Sequence, residues 1–311
     1  MAKKKIAILL STYNGQQYLA EQLQSLQKQS YEDWHLYIRD DGSHDKTTHI
    51  IREFCESDSR IVWVNEKKQI NLGVKQSFMR LLTDVEADYY MFCDQDDVWL
   101  PNKISITLAA MEDNGVPQLT FTDLRLVDNK LNLIKRESVL SRVKVGYWTD
   151  ASNVFFDNVV TGCTVMINSE LKSAVLPVNA DAIVMHDWFL TIIAAQIGTI
   201  HFVAQETILY RQHQENQVGI NVSYLARLAK LKNFKKFIKQ TALQVNQANL
   251  SLKKTDYRAS KKMNRFVNFP QRRGWEKLGL LISKGGFKKH TLFGTVALNL
   301  ALFSLKSSDM K

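Results

Sequence analysis

Residues 5–43 read "KIAILLSTYNGQQYLAEQLQSLQKQSYEDWHLYIRDDGS", and this stretch decides the fold class. "KIAILLS" is a continuous apolar run of strand length, and "NGQQYLAEQLQSLQKQ" sets Tyr18, Leu19, Leu23 and Leu26 at helical spacing. "WHLYIRDDGS" is a second strand that closes in a turn. The rhythm continues downstream. "DKTTHIIREFCE" predicts a helix with Ile50, Ile51 and Phe54 inward, followed by a strand "RIVWVNE", a helix "GVKQSFMRLLTDV" and a strand "ADYYMFCD". Apolar strands alternating with amphipathic helices predict an α/β fold, its central sheet mainly parallel and covered on both faces. Beyond residue 115 the pattern changes: "QLTFTDLRLVD" and "VVTGCTVMIN" read as longer strands, "HDWFLTIIAAQIG" as a buried helix, and "TIHFV" and "ETILYRQH" as two more strands.

In such sheets a ligand sits outside the carboxyl ends of the strands. The segments there are "STYNG", "RDDGSHDKT", "NLGVK" and "DQDDVW", and polar or acidic residues gather at each. "MFCDQDDVWLPNK" is the densest, with Asp94, Asp96 and Asp97 in four positions directly after an apolar run. Hard divalent cations such as Mg²⁺ and Mn²⁺ take carboxylate oxygens, and an Asp-x-Asp at a strand end leaves coordination positions open for a diphosphate. The plainer reading is a solvated turn whose second carboxylate caps the helix after Pro101. "RDDGSHDKT" supplies Asp40 and Asp41, Gly42 for a tight turn, and Ser43 or Asp45 as a helix cap. Asp41 could accept hydrogen bonds from a base or ribose, or the motif could serve the turn and cap alone. No G-x-G-x-x-G follows the first strand, which disfavours a dinucleotide oxidoreductase.

The segments "ILLSTYNGQQYLAEQLQSLQKQSYEDWHLYIRDDGSHDKT", "MFCDQDDVW" and "MHDWFL", in order, resemble the family 2 glycosyltransferases with the GT-A fold. More narrowly, "NLGVKQSF", "CDQDDVWLPNK", "TGCTVMIN", "MHDWF" and "LYRQHQENQVG" are similar to bacterial rhamnosyltransferases of cell-wall polysaccharide synthesis. The resemblance implies that Ser11, Thr12 and Tyr13 line the nucleotide base and that Asp41 binds the base or ribose. It implies Asp96 as the direct metal ligand, with Asp94 near the ribose or the ion's water shell, and Mn²⁺ or Mg²⁺ as cofactor. Lys75, in the loop after the third strand, is placed to meet the diphosphate, as a lone ammonium can; a solvated lysine at a helix start is the alternative. Asp187 is implied as catalytic base, although its position also suits an N-cap of "WFLTIIAAQIG". The family usually has an acidic residue before it, where this chain has His186. Arg211 could grip phosphate and His213 complete a Mn²⁺ shell, or the two could form a surface pair at a strand end.

The charge is divided along the chain. From Val222 onward there are twenty Lys/Arg against three Asp/Glu; residues 1–221 hold twenty-one against twenty-eight. This asymmetry suggests a catalytic domain over 1–220 and a basic helical region over 221–311. "VSYLARLAKLKNFKKFIKQ" spaces Leu225, Leu228, Leu231, Phe234 and Ile238 along one stripe with Lys elsewhere, the pattern of a helix lying on an anionic membrane surface. Packing of that stripe on the catalytic domain is the alternative. "TLFGTVALNLALFSL", with Asn299 inside, is too short to span a bilayer and reads as interfacial, as a packed helix, or as a contact in a homo-oligomer. Nucleic acid ranks last as a partner, since no nucleic-acid-binding motif accompanies "KKMNRF" and "PQRRGW". Three separated cysteines (Cys55, Cys93, Cys163) make no disulfide framework, and each reads as a small buried residue suited to a reducing cytoplasm. The apolar run before Ser11 is too short for a signal peptide.

These readings converge on an inverting, metal-dependent transferase at the inner face of the cell membrane. Its expected donor is a nucleotide-sugar, dTDP-L-rhamnose by the narrower resemblance, and its expected acceptor a lipid-linked saccharide. The competing class is a non-catalytic nucleotide-sugar-binding or membrane-associated scaffold of the same fold.

Overall fold

The computed structural model describes residues 4–134, 146–212, 224–282, 287 and 292–303, with the backbone alone over 224–235 and at 280, 282, 292, 293 and 297. The N-terminal alternation forms as expected: β1 (Ile6–Thr12), α1 (Leu19–Gln27), β2 (Trp34–Asp40), α2 (Thr47–Ser57), β3 (Ile61–Trp63), α3 (Val74–Asp84) and β4 (Tyr89–Cys93). Then come β5 (Val98–Trp99), α4 (Lys103–Ala109), β6 (Gln118–Val127), β7 (Val165–Asn168), α5 (Ser169–Val175), α6 (His186–Ile197) and β8 (Thr199–Arg211). Four further helices follow: α7 (Tyr224–Leu252), α8 (Lys261–Val267), α9 (Gly274–Ile282) and α10 (Leu292–Phe303).

The strands form one sheet in the order β3-β2-β1-β4-β7-β6-β8-β5. The half from β3 to β4 is parallel throughout, β7 runs antiparallel to both β4 and β6, β8 is parallel to β6, and β5 closes antiparallel to β8. Strand β1 shows why its run is apolar on every residue. Alternate side chains of a strand point to opposite faces. Ala7 and Leu9 enter a cluster with Phe78, Leu82, Phe92 and the helices α5–α8. Ile6, Ile8 and Leu10 enter the opposite cluster, with Leu19, Leu23 and Leu26 of α1, Ile51 of α2 and Ile104 of α4. Of the three apolar residues expected inward on α2, Ile51 is fully buried, while Ile50 and Phe54 pack at the cluster's margin.

The second half differs from expectation in three places. "VVTGCTVMIN" is strand only over Val165–Asn168, because Gly162–Thr164 forms a 3-10 turn in front of it. "TIHFV" and "ETILYRQH" are one strand, β8, whose register against β6 shifts at Thr122–Arg125, so a bulge absorbs the polar residues that suggested a break. Strand β5 was not anticipated; its two residues pair with Ile208 and Leu209.

The basic segment joins the main core. Ile238, Ala242, Val245, Ala248 and Leu252 of α7 are buried in the same cluster as α5 and α6, and Phe237 lies against Trp188 with ring centroids 5.8 Å apart. Of the amphipathic stripe, Ile238 therefore faces the protein; the side chains of Leu225, Leu228, Leu231 and Phe234 lie outside the described residues. Among the described residues no helix is long and apolar enough to cross a membrane.

Candidate active site

The carboxyl ends of β1, β2 and β4 lie side by side, and the segments leaving them are tied to one another. Thr12 Oγ1 donates to Asp40 Oδ1 at 2.9 Å, and Asp41 N donates to the Thr12 carbonyl at 2.8 Å. Asp40 Oδ2 accepts the N–H groups of Gly42 and Ser43, and its Oδ1 accepts the Ser43 hydroxyl. Gly42, at φ +84°, supplies the left-handed residue this turn requires. Neither Ser43 nor Asp45 is the cap residue of α2. Lys46 holds that position, while Asp45 Oδ1 accepts the Thr47 N–H from one residue further out. The Ser43 hydroxyl oxygen instead accepts Asn14 N–H at 2.9 Å, which ties the first rim segment to the second. Gln95 joins the first to the fourth. Its Oε1 accepts Tyr13 N–H at 2.8 Å, its Nε2 donates to the Tyr13 carbonyl at 3.0 Å, and the amide lies across Gly15 where a Cβ would collide with it. Ser11 is half-buried, Thr12 buried and the Tyr13 ring exposed.

Asp41 is buried and turned toward the third segment. It accepts hydrogen bonds from Leu72 N (2.9 Å), Gly73 N (2.6 Å) and Ser77 Oγ (2.9 Å), and pairs with the Arg39 guanidinium. Arg39 also donates to the Ile70 carbonyl and to Ser77 Oγ, each at 2.8 Å. Together they hold the loop that delivers α3. Lys75 is the second residue of that helix and not part of the loop; its Nζ donates to the Ile183 carbonyl at 2.8 Å, just ahead of α6.

The acidic segment runs from the end of β4 into β5. Its carboxylates cap no helix: Asn102 is the cap position of α4, and Asp97 Oδ1 accepts Arg211 N–H at 3.1 Å. Asp97 Oδ2 is buried with no hydrogen-bond partner among the described residues. Oxygens of Asp94 and Asp97 and the Cys163 sulfur lie within 4.8 Å of one another. Asp96 is outside that trio. Cys93 and Cys163 are buried as expected, whereas Cys55 is half-buried. Burial first, and then the charges of Asp96 and Asp187, push the Asp94 carboxyl up to about 7. Burial and the neighbouring Asp96 and Asp94 raise Asp97 well above the usual range. Lys103, the last residue of "LPNK", is buried beneath, its Nζ 4.7 Å from the Trp99 ring centroid, and burial pulls it down to about 8. A site that crowds carboxyls until they hold protons is one that a divalent cation would relieve. The two aspartates suit a hard ion, and the thiol does not.

Arg211 lies behind this loop with 1% of its side chain exposed. Its guanidinium donates to the carbonyls of Asp96 (2.8 Å) and Asn129 (2.6 Å) and to Glu21 Oε2 (2.5 Å), and stacks over Tyr18 at 4.5 Å. It is not a surface group, and its described donors face protein. His213 lies outside the described residues.

Asp187 stands at the second residue of α6, not at the cap, which is Met185. Its Oδ1 accepts the Trp188 N–H at 2.6 Å and its Oδ2 the Gly162 N–H at 3.0 Å, with the Asn158 side chain adding a further bond. Burial raises its carboxyl to about 6 against these hydrogen bonds, and its charge is felt at Asp94. His186 is buried against Phe78 and Phe92, with ring centroids at 4.2 and 5.0 Å, and neither ring nitrogen has a partner among the described residues. Burial drives it down to about 3, so the imidazole is neutral. It supports Gly162: a Cβ there would sit 2.8 Å from His186 Nε2 and 3.5 Å from Asp187 Cβ.

The structure thus gathers Asp94, Asp96, Asp97 and Asp187 into one electrostatic unit, with Ser11–Tyr13 and Asp41 along the adjoining strand ends and Lys75 bonded just ahead of α6. Reasoning from sequence passed over Arg39, Gln95, Lys103 and Gly162. Gln95 reads as the spacer of an Asp-x-Asp, and Arg39 as an ordinary strand residue; its place directly before two aspartates was the available signal.

The Glycosyl transferase family 2 model matches residues 7–151. The dTDP-rhamnosyl transferase RfbG of Shigella flexneri is 31% identical over 232 residues, covering 71% of this chain and 78% of that protein. The UDP-Glc:alpha-D-GlcNAc-diphosphoundecaprenol beta-1,3-glucosyltransferase WfgD of Escherichia coli is 30% identical over 112 residues, 36% of this chain and 42% of that one. Among solved structures, the mannosyltransferase PcManGT of Pyrobaculum calidifontis, in complex with GDP-Man and Mn²⁺, matches with a TM-score of 0.53 at 12% identity. That match covers 99% of this chain and 88% of the other.

Proposed function

The chain belongs to glycosyl transferase family 2 and has its GT-A fold, and from that premise we propose an inverting single displacement in which Asp187 is the base. The observation that carries the proposal is the Asp187 carboxylate itself. It is buried, oriented by Gly162 N–H and by the start of its own helix, and poised near pH 6 beside Asp94. A carboxylate so poised is ionised at neutral pH yet basic enough to take a proton.

In the proposed reaction an acceptor hydroxyl attacks the anomeric carbon from the face opposite the diphosphate. The new C–O bond forms as the bond from that carbon to the phosphate oxygen breaks. The hydroxyl proton passes to Asp187, and the electron pair leaves with the nucleoside diphosphate. Ser11, Thr12, Tyr13 and Asp41 bound the nucleotide pocket, and Lys75 meets the diphosphate once its ammonium leaves the Ile183 carbonyl. Arg211 acts through the loop by fixing the Asp96 carbonyl. A Mg²⁺ or Mn²⁺ ion, which Asp94 would hold with Asp97 beside it and with Asp96 as the resemblance implies, would supply charge neutralisation on the leaving group when bound.

For the donor we favour dTDP-L-rhamnose, supported by the likeness to RfbG across most of both chains. For the acceptor we favour a lipid-linked saccharide at a membrane surface, supported by the more partial likeness to WfgD, whose name specifies a diphosphoundecaprenol-linked sugar. The test is release of free nucleoside diphosphate from a panel of dTDP-, UDP- and GDP-sugars, with Mn²⁺ or with EDTA. Turnover with a dTDP-sugar that EDTA abolishes and Asp187→Asn lowers by roughly 10²–10⁴-fold is expected. Binding of a donor without any turnover would favour the scaffold instead.

A further inference from the structure

We propose that the corner formed by α9 and α10 docks the protein on an anionic lipid bilayer. The inference deepens the membrane-surface part of the function proposed above, rests on it for its biological sense, and assigns it to one face. Trp275 and Leu278 lie one turn apart on α9, 86% and 40% exposed. On α10, Val296, Leu300 and Phe303 fall at i, i+4 and i+7 and form one outward stripe, 54%, 71% and 47% exposed. The inner face of the same helix, through Leu298 and Leu302, is wholly buried. The two helices meet at this end: a Cβ on Gly274, the residue before Trp275, would lie 3.9 Å from the Phe303 ring. Apolar side chains presented together on two adjacent helices are more than the scattered exposure usual on a soluble surface.

Charge chooses the occupant. Arg272 and Arg273 are exposed immediately before α9, and from Tyr257 to Ser308 the sequence carries eleven Lys/Arg with Glu276 its single acidic residue. An indole flanked by arginines beside an aliphatic stripe suits the boundary between headgroups and acyl chains. A second copy of the chain suits it less. A two-fold contact would bring the arginines of one copy toward those of the other without an acidic counterpart. The α10 part of this face lies in the segment that the sequence reads as interfacial, whereas of the 225–238 stripe Ile238 is turned into the core.

The experiment is co-sedimentation of the full chain with vesicles of phosphatidylcholine alone and of phosphatidylcholine mixed equally with phosphatidylglycerol, repeated with brominated acyl chains. Trp34, Trp99, Trp148 and Trp188 are buried and Trp63 is half-buried, so bromine quenching reads chiefly Trp275. Binding should require phosphatidylglycerol and weaken with salt. Arg272→Gln with Arg273→Gln should partition about thirtyfold more weakly, at about 1 kcal/mol for each cation near the surface. Trp275→Ala with Leu300→Gln should lose binding by at least roughly tenfold in co-sedimentation. Neither pair should change nucleoside-diphosphate release in the absence of vesicles. Wild-type chain that ignores phosphatidylglycerol vesicles, or variants that bind as wild type, would overturn the assignment. So would a dimer in sedimentation velocity that the Trp275/Leu300 variant turns into monomer, since the face would then belong to a second copy. Vesicle binding with no turnover of any donor would strike the proposed reaction and leave this face standing.

Discussion

Gly162→Ala tests the support beneath Asp187. The added methyl would meet His186 Nε2 at 2.8 Å and Cε1 at 3.3 Å, several tenths of an ångström inside ordinary contact. The imidazole has little room to shift, because it is buried with Phe78 and Phe92 both packed against it. Overpacking of this kind costs about 1–3 kcal/mol. The strain reaches the carboxylate directly, since the same residue's N–H holds Asp187 Oδ2 at 3.0 Å. His186→Ala removes the obstacle. It loses ring packing, offset in part by relieving two buried nitrogens without partners, for a net cost of about 1–3 kcal/mol. The double variant should therefore be more stable than the sum of the singles by about 1–2 kcal/mol, measured by urea unfolding. If Asp187 is the base, donor turnover should fall roughly a hundredfold in Gly162→Ala and recover in part in the double variant. Additivity within about 0.5 kcal/mol would refute the contact on which the reasoning depends.

Asp187 also sets a pH dependence whose sign can be worked out. Burial raises its pKa from 3.8 to about 6, so between those values the folded state keeps a proton that the unfolded state has released, and stability falls as pH rises through the window. Above it the penalty is constant at about 3 kcal/mol. Asp187→Asn should therefore gain stability at pH 8 relative to wild type, by about 1–2 kcal/mol once one mismatched hydrogen bond is counted, and the gain should vanish near pH 4 in paired thermal melts. Activity should run oppositely, with kcat/KM falling as pH drops through about 6 and the limb surviving in His186→Ala, because that imidazole is already neutral there. Arg211→Ala would leave the Asp96 and Asn129 carbonyls without their donor and should cost about 3–5 kcal/mol. Its partner Glu21 is 48% exposed, so Glu21→Gln should cost under about 1 kcal/mol; comparable losses from the two would contradict a clamp built on backbone carbonyls.

The first half of the fold was legible because its signals are local. A buried parallel strand must be apolar on both faces, as "IAILL" is, and helices covering it must show a stripe, as Leu19, Leu23 and Leu26 do. Beyond residue 115 long-range pairing decides. Strand β8 carries Gln205 and Glu206 through its middle because a bulge against β6 lets them face out, and no local pattern announces a bulge. The two-residue β5 exists only because β8 passes beside it. The amphipathic stripe was ambiguous for a related reason. Period alone marks the residues of 225–238 as one face of a helix without saying whether protein or lipid covers it, and at Ile238 the answer is α7's packing on the catalytic core.

The candidate site divides in the same way, between residues proposed to carry the chemistry and residues that hold them. Asp94, Asp96 and Asp187 could be picked out because acidic side chains at strand and helix ends are locally conspicuous. What holds them is not local. Gln95 spans from the acidic loop to Tyr13, Asp41 reaches across to Leu72 and Gly73, Arg211 returns from the end of β8 to the Asp96 carbonyl, and Gly162 reaches Asp187 over a turn. Each of these bonds joins segments that meet only after the sheet has assembled. A substitution in this second set should therefore move several strand-end segments together, so its effects on nucleotide binding and on the acidic loop should be coupled. Gln95→Ala offers the sharpest case, since it cuts both hydrogen bonds between the first and fourth segments while leaving every carboxylate in place.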